Sequence, residues 1–334
     1  RVLTIQPGGQ HLITSSTGAF STNLGYGSYT LTQPLLHEEQ VCPELHPVPF
    51  VVDAQAMDVV IELADLSTTP HDVSVHLNST TLRPGFPFQV HATINNPTAF
   101  PSGALTVNLS LDPVLGEVST APAATVNNGG QVQWELPALQ PYASTLVRIY
   151  GTVPADVGLL GSQRIFNTTV VNGISETDAD NNTVELVMIV TGSYDPNDKQ
   201  GITSTNTGSD IFLFAGDTYI DYTIRFQNTG TDTAFTVVIR DVVQDHFDLH
   251  SFEVLGTSHA FVPAFGQARE LVFTFNDIHL PDSTTDLLGS QGFISYRLKP
   301  VSGIAVGDTL VNSAAIYFDF NDPIITNTTV HVVT

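Results

Sequence analysis

Side chains rich in oxygen gather in the segment VTGSYDPNDKQG, residues 190–201. Asp195, Asn197 and Asp198 surround one proline there. Carboxylate and amide oxygens at such spacing are the ligands that a hard cation such as Ca²⁺ prefers. The same residue types are also turn formers, because their short side chains bond to nearby backbone. Both interpretations stay open at this point, with turn chemistry at a rigid junction preferred to a bound cation.

Two further turns repeat this composition. The run FDFNDP occupies 318–323, and ETDADNN occupies 176–182. DADNN is not an EF-hand loop, because the glycine and the bidentate glutamate are missing at their required offsets. A carboxylate cluster without compensation would repel itself, so a cation or backbone amides must satisfy it. The candidate metal ligands are Asp195, Asn197, Asp198, Asp319, Asn321, Asp322, Asp178 and Asp180.

Groups that could perform covalent catalysis lack the partners that such chemistry needs. Cys42 lies in a proline-rich run with His37 and His46, but nothing in the sequence orients a Cys–His pair. His246 and His250 have i,i+4 spacing without the glutamate of a zinc protease, and we interpret them as surface histidines in a connecting loop. We therefore predict no catalytic residue, no enzyme activity and no cofactor other than the alternative Ca²⁺.

The charge balance excludes several classes of partner. Ten basic and 33 acidic side chains give a net charge of −23 over 334 residues. Nucleic-acid binding needs a basic footprint, and no apolar run approaches the ~20 residues that span a bilayer. We predict neither nucleic-acid binding nor membrane insertion. As the single cysteine, Cys42 is either an ordinary thiol or the partner of a cysteine outside this chain.

Alternating patterns that are typical of β-strands dominate the chain, and the strands must position the acidic turns described above. HDVSVHLN (71–78), FQVHATIN (88–95) and ALTVNLSL (104–111) alternate apolar and polar side chains, so that one face meets a core. The segments end at turn-forming residues, and no segment has a sustained helical stripe. The pattern predicts an all-β protein of tandem immunoglobulin-like sandwiches. The predicted core aromatic residues include Trp134, Phe212, Phe214, Phe226, Phe273, Phe275 and Phe318.

The chain repeats its pattern at a domain-sized step. FQVHATINNPTAF at 88–100 resembles YTIRFQNTGTDTAF at 222–235. Similar order at this step favours two homologous sandwiches over a solenoid of short period, and we place them at 67–191 and 192–334. Residues 1–66 are strand-like around a proline-rich run, which predicts a small or incomplete N-terminal β domain.

Strand direction predicts which turns meet. In a seven-strand sandwich of strands A to G, directions alternate. The entry to strand A at 195–198, the B–C turn QNTGTDT at 227–233 and the F–G turn FDFNDP at 318–323 therefore share a pole. Asp195 and Asp198 should then accept hydrogen bonds from the 319–322 turn, or share a cation with it. Lys199 is expected to pair with a neighbouring aspartate.

Several motifs in order carry a family resemblance. GSYDPNDK, YTIRFQNTGTDTAFTVVIRD, LPDS, GFISYRLKP and NSAAIYFDFNDPIITN cover 192–334. Together they resemble a domain of unknown function that recurs near the C-terminus of large surface and secreted proteins of Bacteroidota. The segment before them is similar to CARDB or DUF11-type immunoglobulin-like repeats. Residues 1–66 resemble the end of a carboxypeptidase-regulatory or collagen-adhesin B-type module.

The resemblance implies a non-catalytic scaffold in extracellular proteins, often exported by the type IX secretion system. Glycosylation is a separate hypothesis: the O-glycosylation pattern of Bacteroidota is Asp-Ser/Thr followed by a small or apolar residue. That pattern occurs at Thr233, Ser283 and Thr309.

We therefore predict a structural or adhesive protein at the bacterial cell surface, a rigid rod of β-sandwiches. Its partners would be neighbouring domains or subunits of the same protein. Two alternatives stay open. One is a self-assembling filament subunit, a homo-polymer joined by strand donation at an exposed sheet edge. The other is a set of ancillary C-terminal modules of a secreted enzyme.

Overall fold

The computed structural model of the protein describes residues 1–15, 17–35, 38–192, 195–206 and 210–334. Regular structure in these residues is β-strand, apart from three single-turn 3-10 helices at Pro113–Leu115, Val157–Leu159 and Asp180–Asn182. The all-β prediction is confirmed. Across the described parts of the chain, no helix is both long and apolar enough to cross a bilayer.

The N-terminal region consists of one sheet and one two-stranded ribbon. Its strands are β1 (Val2–Gln6), β2 (Gln10–Ile13), β3 (Gly27–Thr32), β4 (Glu38–Cys42), β5 (Val48–Val52) and β6 (Ala64–Ser67). The sheet has the order β2-β1-β3-β5, and β4 pairs with β6. Its buried apolar cluster contains Leu3, Ile5, Leu31 and Val48, a small core for a region of this length.

The middle region is a two-layer sandwich. Its strands are β7 (Ser74–Ser79), β8 (Pro87–Asn95), β9 (Leu105–Leu111), β10 (Ser119–Ala121), β11 (Val126–Asn128), β12 (Gln131–Leu136), β13 (Ser144–Thr152), β14 (Gln163–Val171) and β15 (Thr183–Ile189). The sheets have the orders β10-β13-β8-β7 and β11-β12-β9-β14-β15. Every second side chain along β9 is buried, as the alternating pattern predicts.

The C-terminal region is a larger sandwich. Its strands are β16 (Asp198–Thr203), β17 (Ile211–Phe212), β18 (Ile220–Gln227), β19 (Val237–Val242), β20 (Phe247–Thr257), β21 (Val262–Phe265), β22 (Glu270–Phe275), β23 (Gln291–Pro300), β24 (Thr309–Asn312), β25 (Ala314–Phe318), β26 (Ile324–Ile325) and β27 (Thr329–Val333). The sheets have the orders β16-β18-β23-β20, β21-β22-β19-β25-β26 and β17-β27-β24. The described residues of this region carry twelve strands in three sheets, instead of the seven strands that we predicted.

The buried residues form three apolar clusters, which draw on residues 3–48, 73–190 and 212–333. Trp134 is buried in the second cluster, and its indole N–H donates to the carbonyl of Pro122 at 2.9 Å. The predicted core position of Phe214 is wrong, since its side chain is exposed. The other five phenylalanines of that prediction are buried. The predicted domain bounds themselves stay predictions.

Candidate functional site

Asp198 begins β16 at the entry to the C-terminal sandwich, and its buried carboxylate forms an ion pair with a partly buried arginine. Its carboxylate accepts hydrogen bonds from Nε and Nη2 of Arg225, on the adjacent strand β18, at 2.7 and 2.6 Å. A third donor of the same guanidinium, Nη1, reaches the backbone carbonyl of Ser79 in the middle sandwich at 2.7 Å. The predicted bond from Asp198 to the 319–322 turn is therefore wrong, because Arg225 occupies both carboxylate oxygens.

Asn197 and Asp195 satisfy backbone amides. Oδ1 of the buried Asn197 accepts from the amide of Gln227 at 3.0 Å, where β18 ends. Oδ1 of Asp195 accepts from the amide of Asn197 at 2.9 Å. Both contacts are turn chemistry of the kind that short oxygen-bearing side chains provide.

The acidic turn at 319–322 is hydrogen-bonded to the loop between β18 and β19. Oδ1 of Asp319 accepts from the amides of Phe235 and Thr236, at 2.9 and 2.7 Å. Asn321 and Asp322 are exposed. The loop that receives Asp319 begins where Asn197 meets β18, so both acidic segments lie at one end of the sandwich, as strand direction predicts. They are not in the direct contact that we expected.

The acidic turn of the middle sandwich is also satisfied by amides. Asp72 accepts from the amide of Asp178 at 3.2 Å and from the side chain of Asn181 at 3.1 Å. Oδ1 of Asp178 accepts from the amide of Asp180 at 3.0 Å, where a 3-10 turn starts. These donors offset the negative charge without a cation.

The candidate ligands of a cation do not assemble into one cluster. In the described ranges, no group of three or more His, Cys, Asp or Glu side chains is arranged to hold a metal ion. Calcium binding at these turns stays a prediction, and the contacts above supply the alternative partner for Asp195, Asp198, Asp319 and Asp178.

Lys199 lies in the core of the C-terminal sandwich, which the sequence did not indicate. Its side chain is fully buried, and Nζ forms an ion pair with the equally buried Asp241. Nζ also donates to the hydroxyl of Tyr296 at 2.8 Å and lies 4.7 Å from the ring centroid of Tyr222. The expected partner was an aspartate of the same turn, but strand geometry turns Lys199 inward and leaves Asp198 to Arg225.

Asn312 completes this buried polar cluster. Its side-chain Nδ2 donates to the hydroxyl of Tyr296 at 3.3 Å. No short motif links Asn312, Asp241 and Lys199, because they are far apart in the sequence. The fold brings them together from three different sheets. One signal could have revealed the cluster: Asp241 follows Val237 and Ile239 at two-residue spacing, so a carboxylate occupies the core face of an alternating strand.

The two sandwiches pack through the outer faces of sheets. His91 on β8 is buried against Phe293 on β23, with ring centroids 4.8 Å apart. The side chain of Gln89 donates to the carbonyl of Leu288 at 3.0 Å, and Arg148 donates to that of Ser258 at 3.4 Å. Burial lowers the pKa of His91 to about 3, so this interface accommodates the neutral imidazole.

The N-terminal sheet also contacts the C-terminal sandwich. The hydroxyl of Thr4 on β1 is hydrogen-bonded to Nε2 of His250 on β20, and the ring of His11 packs edge-on to His250 at 5.4 Å. The interpretation of His250 as a loop residue is therefore wrong. It is a strand residue at an interface between regions, and its spacing from His246 is not helical.

Cys42 is exposed at the end of β4 and has a free thiol. The ring of His46 contacts the side chain of Gln40 at 3.1 Å. His37 lies outside the described residues. The predicted glycosylation residues Thr233, Ser283 and Thr309 are half-buried, and their modification stays a prediction.

Comparison with known proteins identifies one region. Residues 195–332 match the family described as "Domain of unknown function (DUF7619)", in agreement with the resemblance of the C-terminal region. No curated protein matches the chain significantly. The match concerns the C-terminal sandwich alone, so the resemblances of the two preceding regions and the Bacteroidota origin stay predictions.

Solved structures of bacterial surface proteins align with most of the chain. The C-terminal domain of the Streptococcus pyogenes antigen I/II-family protein AspA is 10% identical over 78% of this chain and 98% of that chain, with a TM-score of 0.32. The C-terminal domain of the Streptococcus agalactiae AgI/II polypeptide BspA is 12% identical over 79% and 100%, with a TM-score of 0.28. Collagen adhesin (CNA) from S. aureus is 14% identical over 78% and 92%, with a TM-score of 0.25. Scores this low carry no inference about function.

Proposed function

We propose that this chain is a non-catalytic structural or adhesive protein of the bacterial cell surface, in which the three β regions act as one rigid body. The observation that carries the proposal is the packing of the two sandwiches through sheet faces, where His91 is buried against Phe293. Domains joined only by a linker rotate independently. Domains that share a buried interface hold an attached partner at a set distance and direction.

The charges are compatible with a structural or adhesive role. A net charge of −23 keeps the chain soluble and repels nucleic acid. The buried charges are structural: Lys199 is enclosed in the core, and Arg225 is held between Asp198 and Ser79. These side chains have partners within the body, and the fully buried Lys199 is inaccessible to a substrate.

Small-angle X-ray scattering of the full chain tests the rigid body. We expect a profile that fits the three packed regions as one particle. The Arg225→Ala variant, which loses the bonds to both Asp198 and Ser79, should give a broader distance distribution. The Arg240→Ala variant is the control, because Arg240 is exposed on β19 and its contacts with Glu270 and the ring of Tyr317 lie within the C-terminal sandwich. A wild-type profile that requires freely moving domains would overturn the proposal.

Function itself needs a second measurement. Beads coated with the full chain should be retained under flow on surfaces that carry extracellular-matrix proteins, if the role is adhesive. Retention equal to that of beads coated with another acidic protein would exclude the adhesive role, and only the structural role would remain. Turnover of peptide or glycan substrates that maps to residues 67–334 would contradict both.

A groove in the N-terminal region supports a second candidate, a subunit that assembles with copies of itself. A stable β domain buries its sheet against a second layer, but here the single sheet of β1, β2, β3 and β5 borders a groove of about 1270 Å³. An extended segment of a second copy could fill the groove by adding to an exposed sheet edge. The apolar residues that line the groove include Leu3, Ile5, Phe20, Leu24, Leu31 and Ile61.

Light scattering coupled to size exclusion, over a range of concentrations, tests this assembly. The edge strand β5 carries Val51, which is 50% exposed, and Val51→Lys should block pairing there. Val171→Lys is the matched control, since Val171 is also 50% exposed but lies on β14, between two strands. A chain that stays monomeric at every concentration excludes this candidate and leaves the first one intact.

A further inference from the structure

The core of the C-terminal sandwich contains three reactive side chains around one hydroxyl. Tyr296 Oη accepts from Lys199 Nζ at 2.8 Å and from Asn312 Nδ2 at 3.3 Å, and it donates to Asp241 Oδ2. All four side chains belong to buried residues. An amine, a carboxylic acid and a carboxamide are thus held together away from water, in the middle of an apolar cluster that includes Tyr222.

An ordinary ion pair does not account for this cluster. Oδ1 of Asp241 and Oδ1 of Asn312 are enclosed and have no hydrogen-bond partner among the described residues. Buried polar atoms are almost always paired, because leaving one unpaired is costly. Lysine is also among the residues least often buried completely. Two unpaired oxygens beside a buried amine call for a chemical explanation.

Burial increases the fraction of Lys199 that carries a neutral, nucleophilic amine. The free amine attacks carbonyl groups, whereas the ammonium does not, and desolvation favours the neutral form. Burial lowers the pKa of Lys199 to about 8, although Asp241 acts in the opposite direction. Transfer of a proton from the Lys199 ammonium to Asp241 removes both charges from the core. The carboxylic acid of Asp241 can then donate a hydrogen bond, and Asn312 Oδ1 is a buried acceptor that lacks a donor among the described residues.

We propose that Lys199 and Asn312 are joined by an isopeptide bond, which the folded chain forms by itself with Asp241 as the proton-transfer residue. Nζ of the neutral lysine attacks Cγ of the Asn312 carboxamide, while the acid form of Asp241 polarises the carbonyl oxygen Oδ1 of Asn312. Asp241 accepts a proton from Nζ and delivers a proton to Nδ2. The Cγ–Nδ2 bond then breaks, ammonia leaves, and a Nζ–Cγ amide remains. The step consumes no water and needs no oxidant, reductant or activated group.

The placement of the two residues gives the bond a mechanical role. Lys199 lies on β16, the first strand of the C-terminal sandwich, and Asn312 lies on β24, which pairs with the last strand, β27. The two strands belong to different sheets. A covalent link between them would prevent the sheets from separating when force is applied to the ends of the domain, and it would oppose thermal unfolding by constraining the unfolded chain.

Intact mass spectrometry of the full chain, unfolded in denaturant, tests the bond directly. We expect a mass lower than the sequence mass by one ammonia. A loss of one water would overturn the assignment of Asn312, because it would indicate condensation of Lys199 with Asp241. An unchanged mass would overturn the bond itself. The measurement needs no variant, so it does not depend on how a substitution affects folding.

The chain provides its own control, since it contains two lysines, Lys199 and Lys299, and Lys299 is exposed. An amine-reactive reagent added to the denatured chain should modify Lys299 and leave Lys199 unmodified. Proteolysis should release a branched peptide that contains Lys199 and Asn312. In Asp241→Asn, checked for folding by circular dichroism, the full sequence mass should return and Lys199 should become reactive. Complete modification of Lys199 in the wild-type chain would contradict the proposal.

Discussion

The guanidinium of Arg225 donates a hydrogen bond of 2.7 Å to the backbone carbonyl of Ser79, from one sandwich to the other. The same guanidinium is held by Asp198, so an ion pair within the C-terminal sandwich positions a donor for the middle one. The acidic residue at the domain entry thus acts through Arg225 and not through the 319–322 turn. The stiffness of this junction stays a prediction, and the contact that would provide it is the one made by Arg225.

Asp198→Ala should destabilise the C-terminal sandwich. The substitution leaves the largely enclosed Arg225 without its carboxylate, and breaking one side of a fully buried pair costs about 3–5 kcal/mol, which is the upper bound here. The measurement is the free energy of unfolding in urea. Asp322→Ala is the control, because Asp322 is exposed in the other acidic turn. Equal losses of unfolding free energy for the two variants would show that the destabilisation does not come from the broken ion pair.

Removal of divalent cations should leave the melting temperature unchanged. A cation that binds only the folded chain raises stability by mass action, but Asp198 and Asp319 already have partners that donate to them. The measurement is thermal unfolding with EDTA and with added CaCl₂. A melting temperature that rises with calcium, and loses that rise in Asp319→Ala, would restore the calcium interpretation of these turns.

Acid should weaken the contact between the sandwiches. Burial lowers the pKa of His91 to about 3, assisted by the charges of Arg148 and His259, and burial against the neighbouring sandwich lowers that of His76 to about 4. Both are below the ordinary value of 6.5. The folded protein therefore holds both imidazole rings neutral. Their contribution to stability is present in full above about pH 6.5 and is lost as the pH falls toward the lowered pKa values.

The size of this loss can be measured. Each pH unit below the ordinary pKa costs about 1.4 kcal/mol per histidine that stays neutral when folded. His91→Gln cannot be protonated, so thermal unfolding from neutral pH to about pH 4.5 should show a flatter profile for this variant. His46→Gln is the control, because His46 is exposed. Identical slopes for wild type and His91→Gln would exclude His91 as the source of acid sensitivity.

Gly256→Ala should disturb the same interface by steric overlap. A Cβ at Gly256 would lie 2.5 Å from the hydroxyl oxygen of Thr93 in the facing sheet, and 3.2 Å from its Cβ. Overpacking of this kind costs about 1–3 kcal/mol. The measurement is the unfolding free energy, with Gly303→Ala as the control, since a Cβ there would meet nothing within 4 Å. Gly256→Ala combined with Thr93→Ala should recover part of the loss; no recovery would argue against this contact.

The sequence by itself determined the class of fold and much of the core. Alternation is a local property: it assigns side chains to two faces before any partner strand is known. It therefore predicts the strands at 88–95 and 104–111 and the burial of Trp134, all of which the structure contains. Phe214 shows the limit, because it keeps the pattern of its neighbours but lies outside the strand Ile211–Phe212.

Tertiary structure alone decided the partners of the polar groups. The sequence placed Asp198 and Lys199 side by side and predicted a shared role for them in one turn. Their side chains point to opposite faces of β16, because consecutive residues of a strand alternate. Asp198 consequently meets Arg225 and the middle sandwich, while Lys199 enters the core and meets Asp241. Which strands face each other depends on the path of the whole chain, and no local pattern encodes that path.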